Sequence, residues 1–354
     1  MISPLSHAIA WCRTGRPAAL ATVTGTWGSS PRPAGSLMAV SADGHAEGSV
    51  SGGCVEADVI SAARSILAGE RSAAGLTYGV SSGRAWEVGL ACGGRLDVFV
   101  EAIGTPDCPH GTLPLAVAEE LAAAEQARRS AVLVRDLGGK HRSVLYPDAE
   151  GDGLPAQVMT AVHEVFRTGG ACLVAEDGQD TGWFVQAFRP PPRLVIAGAV
   201  HIAQALAPMA RLSGFTTVII DPREALATQA RFPGETLLTE WPDEALETLG
   251  IDGSTAVVTL THDARLDDPA LTAALSGPAF YVGALGSRKT QASRLARLRE
   301  AGLSEDQLAR IRGPVGLAIG GLGAEEIALS IMADIVAVRR GAALAQRPGW
   351  QDPA

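Results

Sequence analysis

Aromatic residues make up only 5% of this 354-residue chain, so its cores must be built mostly from Ala, Val, Leu and Ile. A basic excess is also missing: 29 Lys and Arg stand against 38 Asp and Glu, a net charge of −9. That balance argues against a nucleic-acid partner, which calls for a basic patch or a strongly basic chain. No apolar run reaches the ~18 residues of a membrane span before Gly, Arg or Asp breaks it. The opening MISPLSHAIAWCRTGRPAALA lacks the charged start and long apolar core of a secretion signal. Cysteine is scarce: Cys12, Cys54, Cys92, Cys108 and Cys172 are odd in number and widely spaced. They read as reduced thiols rather than a disulfide framework, and with no CxxC pair a closed zinc site is not expected. A cytoplasmic protein with no membrane partner is the expectation.

What the chain does have is apolar material and glycine. Hydrophobic residues at 47% and charged residues at 19% exclude a disordered chain. Glycine accounts for 41 of 354 residues, above the usual level of about 7%. The length favours two domains, and Pro190-Pro191-Pro192 marks the boundary, because three prolines stop any helix or central strand. After it the pattern alternates: strand 193–197, helix 201–213, strand 216–221, a helix from 223, strand 255–260, helix 268–275, strand 279–284 and helix 288–301. Such alternation predicts βαβ units and a parallel sheet. A last helix over 324–340 carries Glu325 and Glu326 in its first turn, Arg339 and Arg340 in its last, and Gly341 as its stop. Before the prolines, strands over 18–25, 36–42 and 46–50 precede a helix over 54–68 and a strand over 95–101. Residues 116–188 read as helix, hairpin, helix and two strands, completing an α+β domain or forming a subdomain. The fold class is therefore α/β, a C-terminal Rossmann-like parallel sheet (193–345) with an N-terminal α+β domain (1–189) and a short tail (346–354).

The glycines gather at sites. Ser51-Gly52-Gly53-Cys54 stands where a strand turns into a helix, so backbone N–H groups at the helix start are expected to face an anionic ligand. Cys54, in the first helical turn, would be either a reactive thiol or a small buried hydrophobe. Cys92-Gly93-Gly94 repeats the pairing just before a strand, and the two cysteines are candidates to line one pocket. Trp27 to Gly35 is a third such loop, in which Arg32 is either a phosphate contact or a solvated surface residue. In the second half, Gly198-Ala-Val200-His201-Ile-Ala203 occupies the place of a dinucleotide fingerprint, and Asp221 ends the next strand. Val200 stands where that fingerprint has its second glycine, which weakens the case for NAD(P). Gly198, His201, Asp221, His262, Asp263, Ser287 and Arg288 should all lie along the carboxyl edge of the sheet, where open α/β folds bind ligands.

Taken together, the stretches GTWGSSPRPAGSLMAV, SGGCVEADV, GLACGGRLDVFVE, LVIAGAVHIAQAL, VTLTHDARLDDPAL, YVGALGSRKT and GPVGLAIGG…AEEIALSIMADIVA resemble the XdhC/CoxI family of xanthine dehydrogenase accessory proteins. The resemblance implies binding of molybdenum cofactor (molybdopterin) and its delivery, in sulfurated form, to a molybdenum hydroxylase apoenzyme, with a sulfur-donating desulfurase as a second partner and a homodimer as the assembly. It maps the family's two cysteine motifs onto Cys54 and Cys92, its GxGH turn onto Gly198 to His201, and its GSR turn onto Gly286 to Arg288. Val200 and Gly320-Gly321-Leu322-Gly323 depart from the family pattern, and both fall on the Rossmann crevice. Ranked after a cofactor chaperone are an NAD(P)-dependent oxidoreductase using a first-domain thiol, and a scaffold that has lost ligand chemistry.

Overall fold

A computed structural model describes residues 3–28, 32–79, 94–138, 141–149, 151, 153–175 and 182–342. The chain forms two compact units, Met1–Pro190 and Pro191–Ala354.

In the first unit, β1 (Ala18–Trp27) and β5 (Arg95–Gly104) are the central strands of a sheet ordered β3-β2-β1-β5-β4. Its other members are β2 (Leu37–Ser41), β3 (Ala46–Gly48) and β4 (Ala74–Tyr78), with β6 (Leu113–Pro114) paired to β5. Burial on both faces explains why β1 reads as a nearly continuous apolar run. Ala19, Ala21 and Val23 meet Val59, Ala63 and Ile66 of α2 (Glu56–Leu67). Ala18 and Leu20 turn the other way, toward Leu5 and Ile9 of α1 (Pro4–Arg13) and Leu121 of α3 (Leu115–Gln126). The period-2 pattern of the strand thus assigns one helix layer to each face.

A second antiparallel sheet, ordered β8-β7-β10-β9, combines β7 (Ala131–Asp136), β8 (Arg142–Leu145), β9 (Ala171–Val174) and β10 (Trp183–Phe188). Val158, Val162 and Val165 of α4 (Ala156–Thr168) cover its far face. A buried charge cluster ties the two sheets together. Glu101 of β5 accepts from Arg135 Nη1 of β7, from Arg142 Nη2 of β8 at 2.8 Å, and from Thr112 Oγ1 at 3.0 Å. The Arg135 guanidinium sits 5.3 Å from the Phe99 ring and 5.2 Å from that of Phe184.

The second unit is a parallel sheet ordered β13-β12-β11-β14-β15-β16. Its strands are β11 (Arg193–Ala197), β12 (Thr216–Ile220), β13 (Thr236–Leu238), β14 (Thr255–Thr259), β15 (Tyr281–Ala284) and β16 (Ile311–Arg312). Helices α5 (His201–Leu212) and α10 (Ala324–Arg339) cover the face carrying Leu194, Ile196 and Val258. Helices α6 (Pro242–Leu249), α7 (Ala264–Ser276), α8 (Arg288–Glu300) and the short α9 (Glu305–Ala309) cover the opposite face. Ile331 and Ile335 of α10 are fully buried, and Ile327 and Val338 pack beside them, one apolar face at helical spacing. The order reverses direction at β11, which places a switch-point crevice between β11 and β14. The expected Rossmann-like parallel sheet is present in the second unit, and the first unit is α+β with antiparallel sheets.

One expectation fails: no helix starts at 223. Arg223 turns back onto Asp221 through its N–H (3.0 Å) and its guanidinium (2.7 and 2.8 Å). Arg231 donates to the carbonyls of Leu226 (2.7 Å) and Ala199 (2.8 Å). Turns held by these side chains replace the helix that the Ala- and Glu-rich sequence favoured, and β13 and α6 follow unforeseen. The expected helix 54–68 also begins two residues late, at Glu56.

Candidate functional site

The Ser51-to-Cys54 loop is closed by the residue that begins the following helix. Glu56 Oε1 accepts from Ser49 Oγ (2.7 Å), Val50 N (3.2 Å), Ser51 N (2.9 Å) and Gly52 N (3.0 Å). Its Oε2 accepts from Ser51 Oγ, Gly53 N (2.8 Å) and Val55 N (3.2 Å). Gly52 and Gly53 have φ of +83° and +123°, a region that only glycine enters freely, and this curls the N–H groups inward. The expected anion cradle therefore exists, but the anion in it is the chain's own carboxylate. Burial pushes the Glu56 carboxyl up, yet the Ser51 and Ser49 hydroxyls and the loop N–H groups outweigh it and hold the group at about 2. Cys54 N donates to Ser51 Oγ at 2.9 Å, and the Cys54 side chain is exposed. It precedes the helix instead of lying in its first turn, so it stands as a displayed thiol and not as a buried hydrophobe. The sequence singled out Ser51, Gly52, Gly53 and Cys54 but not Glu56, whose signal was an acidic residue three positions after the second glycine, close to a capping-box spacing.

Cys92 and Gly93 lie outside the described residues, as does any pocket that Cys92 shares with Cys54; Gly94 is buried just before β5. Among the described residues, no three His, Cys, Asp or Glu side chains gather closely enough to hold a metal ion.

In the second unit the nominated residues do collect at the carboxyl edge of the sheet, but with two different jobs. Gly198 follows β11 at φ +116°, and a Cβ there would lie 2.6 Å from Thr261 Cγ2 across the switch point. Asp221 is fully buried. Its Oδ2 accepts from Ala199 N and Arg223 Nη2, both at 2.7 Å, and its Oδ1 accepts from Arg223 N and Nε. Asp263 caps α7 by accepting from Arg265 N at 3.0 Å, and its pair with Arg265 pulls its pKa down to about 2. Ser287 caps α8 by accepting from Thr290 N at 3.1 Å. Asp221, Asp263 and Ser287 are thus committed to local structure. His201 at the start of α5, His262 at φ +60° and Arg288 at the start of α8 are exposed and remain for a ligand. Two neighbours escaped the sequence reading: Arg223, and the buried Asp267, whose carboxyl accepts from Thr261 Oγ1 at 2.7 Å.

Comparison with known proteins agrees with this architecture. Residues 194–335 match the model of the XdhC Rossmann domain, and residues 11–79 match that of the XdhC and CoxI family. The chain is 31% identical over 340 residues to the Escherichia coli protein named "Molybdenum cofactor insertion chaperone PaoD", covering 95% of this chain and 87% of that one. It is 29% identical to a Bacillus subtilis protein described as a probable xanthine dehydrogenase subunit, covering 92% and 94% of the two. A crystal structure described as a xanthine dehydrogenase from Bacillus halodurans superposes with a TM-score of 0.72 at 25% identity, covering 98% of both chains. With a relative above 30% identity along nearly its whole length and a family model on each unit, this chain belongs to the XdhC/CoxI family.

Proposed function

We propose that the chain binds molybdenum cofactor and hands it to the apoenzyme of a molybdenum hydroxylase, with Cys54 as the thiol presented to the metal end. Likeness along nearly the whole chain to a relative named as a molybdenum cofactor insertion chaperone carries the reading. The geometry supports it: a soft sulfur donor stands exposed on a loop whose backbone is fixed by Glu56. Cys92, in the matching glycine loop, is the second thiol of the proposal, and a sulfur-donating desulfurase is the partner that would sulfurate the cargo. The direct test mixes cofactor-loaded chain with cofactor-free hydroxylase. Hydroxylase activity should appear, and Cys54→Ala should cut its initial rate at least tenfold, roughly the loss of one good ligand contact (~1.4 kcal/mol). Equal activation with the chain omitted would overturn the proposal.

The NAD(P)-dependent oxidoreductase reading is weaker on this geometry. Both oxygens of Asp221 are taken by protein N–H groups, so a ribose hydroxyl would have to displace Arg223. Val200 meanwhile occupies the place of the glycine that lets backbone approach a pyrophosphate. NAD(H) and NADP(H) are expected to leave the melting temperature unchanged, where a true ligand at a hundred times its Kd would add about 2.7 kcal/mol.

A cytoplasmic homodimer completes the proposal. No described helix is long and apolar enough to cross a membrane. Leu329 and Val336, two turns apart on α10, are 55% and 37% exposed, and Leu322 just before the helix is 92% exposed. Sedimentation should give a dimer for the natural chain and a monomer for Leu329→Glu combined with Val336→Glu.

A further inference from the structure

The seam between the two sheets of the first unit carries a surplus positive charge. Arg135 of β7 and Arg142 of β8 both pair with the fully buried Glu101, and among the described residues they share no second carboxylate. The Arg135 side chain is only 1% exposed. Its Nη1 reaches Glu101, but its Nε and Nη2, both shut off from solvent, have no hydrogen-bond partner. Those two nitrogens form the parallel fork that receives a carboxylate. Elsewhere in the chain the fork does so: Arg223 on Asp221, Arg297 on Asp268 and Arg312 on Asp334 each use Nε and Nη2 together. In Arg135 the same edge is buried and meets no protein acceptor.

Other donors share the seam. Thr22 stands directly across from Phe99 in the β1–β5 register, so its side chain lies on the face that carries Phe99 and Glu101. It is fully buried, and its Oγ1 has no partner either. Arg142 Nε is a further buried donor left over. The Phe99 and Phe184 rings soften the Arg135 charge but offer no acceptor for its fork. Burial pulls the Arg135 guanidinium down, and Arg142 adds to this against Glu101, as for a cation short of counter-charge. Water would meet the donors and leave the surplus charge, whereas an anion meets both. We infer that the seam binds a monovalent anion of about halide size, held on the Nε–Nη2 edge of Arg135 with the Thr22 hydroxyl as a further donor. The single surplus charge sets the valence, and enclosure by the fully buried Arg135, Thr22 and Phe184 sets the size. The ion locks the two sheets together and does so whatever cargo the chain carries.

The test is urea unfolding of the full chain in sodium chloride and in sodium gluconate at equal ionic strength, gluconate being too bulky to enter. Chloride should raise the folding equilibrium constant about tenfold, the effect of a ligand at roughly ten times its Kd. Thr22→Val keeps the shape and removes the hydroxyl. It should shrink the chloride advantage to about threefold, since one lost hydrogen bond weakens binding roughly fivefold. Arg135→Leu leaves Arg142 paired with Glu101 and should abolish the advantage. Crystals of the natural chain grown in bromide should show an anomalous peak on the Arg135 fork, a readout independent of how any variant folds. Equal stability of the natural chain in the two salts would overturn the inference, as would bromide crystals with no peak at Arg135. A chloride advantage kept in full by Thr22→Val and Arg135→Leu would put the ion elsewhere and overturn it as well.

Discussion

Glu56→Gln should loosen the Cys54 loop and destabilise the first unit by roughly 2–3 kcal/mol, the cost of removing a charged acceptor from a set of inward-pointing donors. The substitution keeps the volume but removes the charge, and it turns one acceptor oxygen into a donor that faces other donors. For a unit of this size the melting temperature should fall by roughly 4–12 °C. Glu56→Asp, which keeps the charge on a shorter stem, should recover part of the loss. The pH dependence carries the same signature. With the folded carboxyl held at about 2 against an ordinary 4.5, its stabilisation is complete above the ordinary value and is lost as pH falls toward 2. A Glu56→Gln protein should therefore lose less stability than the natural chain between those pH values. Urea unfolding at pH 7 and at pH 3 measures the difference; an identical pH slope in both proteins would show that the carboxylate does not hold the loop. Alkylation of Cys54 supplies a second readout, because a loop that samples many conformations presents the thiol differently from a fixed one.

Asp221→Ala is the second large effect, and it alters how the crevice should be tested. The sequence presents Asp221 as a candidate cofactor-binding residue at the end of a strand, a role in which its removal would cost nucleotide affinity alone. In the structure it is the fully buried hub that joins Ala199 N to the Arg223 side chain. Its loss orphans a buried N–H and frees a guanidinium, at a cost of about 3 kcal/mol with no ligand present. Burial works to raise the Asp221 carboxyl, but the Arg223 guanidinium and the N–H groups of Arg223 and Ala199 outweigh it and hold the group low. The stabilisation is therefore present above the ordinary carboxylate range and fades as pH falls below it. Chemical unfolding of ligand-free protein decides the matter. Asp221→Ala as stable as the natural chain would contradict the structural role.

These two residues also mark how far the sequence could be read. Most of the parallel sheet was legible because β11, β12, β14 and β15 are short apolar runs and most are separated by amphipathic helices, a one-dimensional pattern. The glycine loops were legible for the same reason: positive φ favours glycine, and Gly52, Gly53 and Gly198 all adopt it. What stayed hidden depended on where side chains fold back. In the order Gly-Gly-Cys-Val-Glu only a spacing close to that of a capping box hints that Glu56 turns toward the loop instead of solvent, so the donors looked available for a foreign anion. Arg223 and Arg231 likewise override a stretch of good helix formers by bonding to carboxylate and carbonyl oxygens, a tertiary effect that local propensity cannot register.

The central claim, that this chain carries molybdenum cofactor on its first unit, is tested most directly by molybdenum and pterin analysis of protein purified from its native host. Molybdenum and pterin should both be found, about one per chain, with a clear loss of bound molybdenum in Cys54→Ala. Protein free of molybdenum and pterin that also fails to bind added cofactor would contradict it.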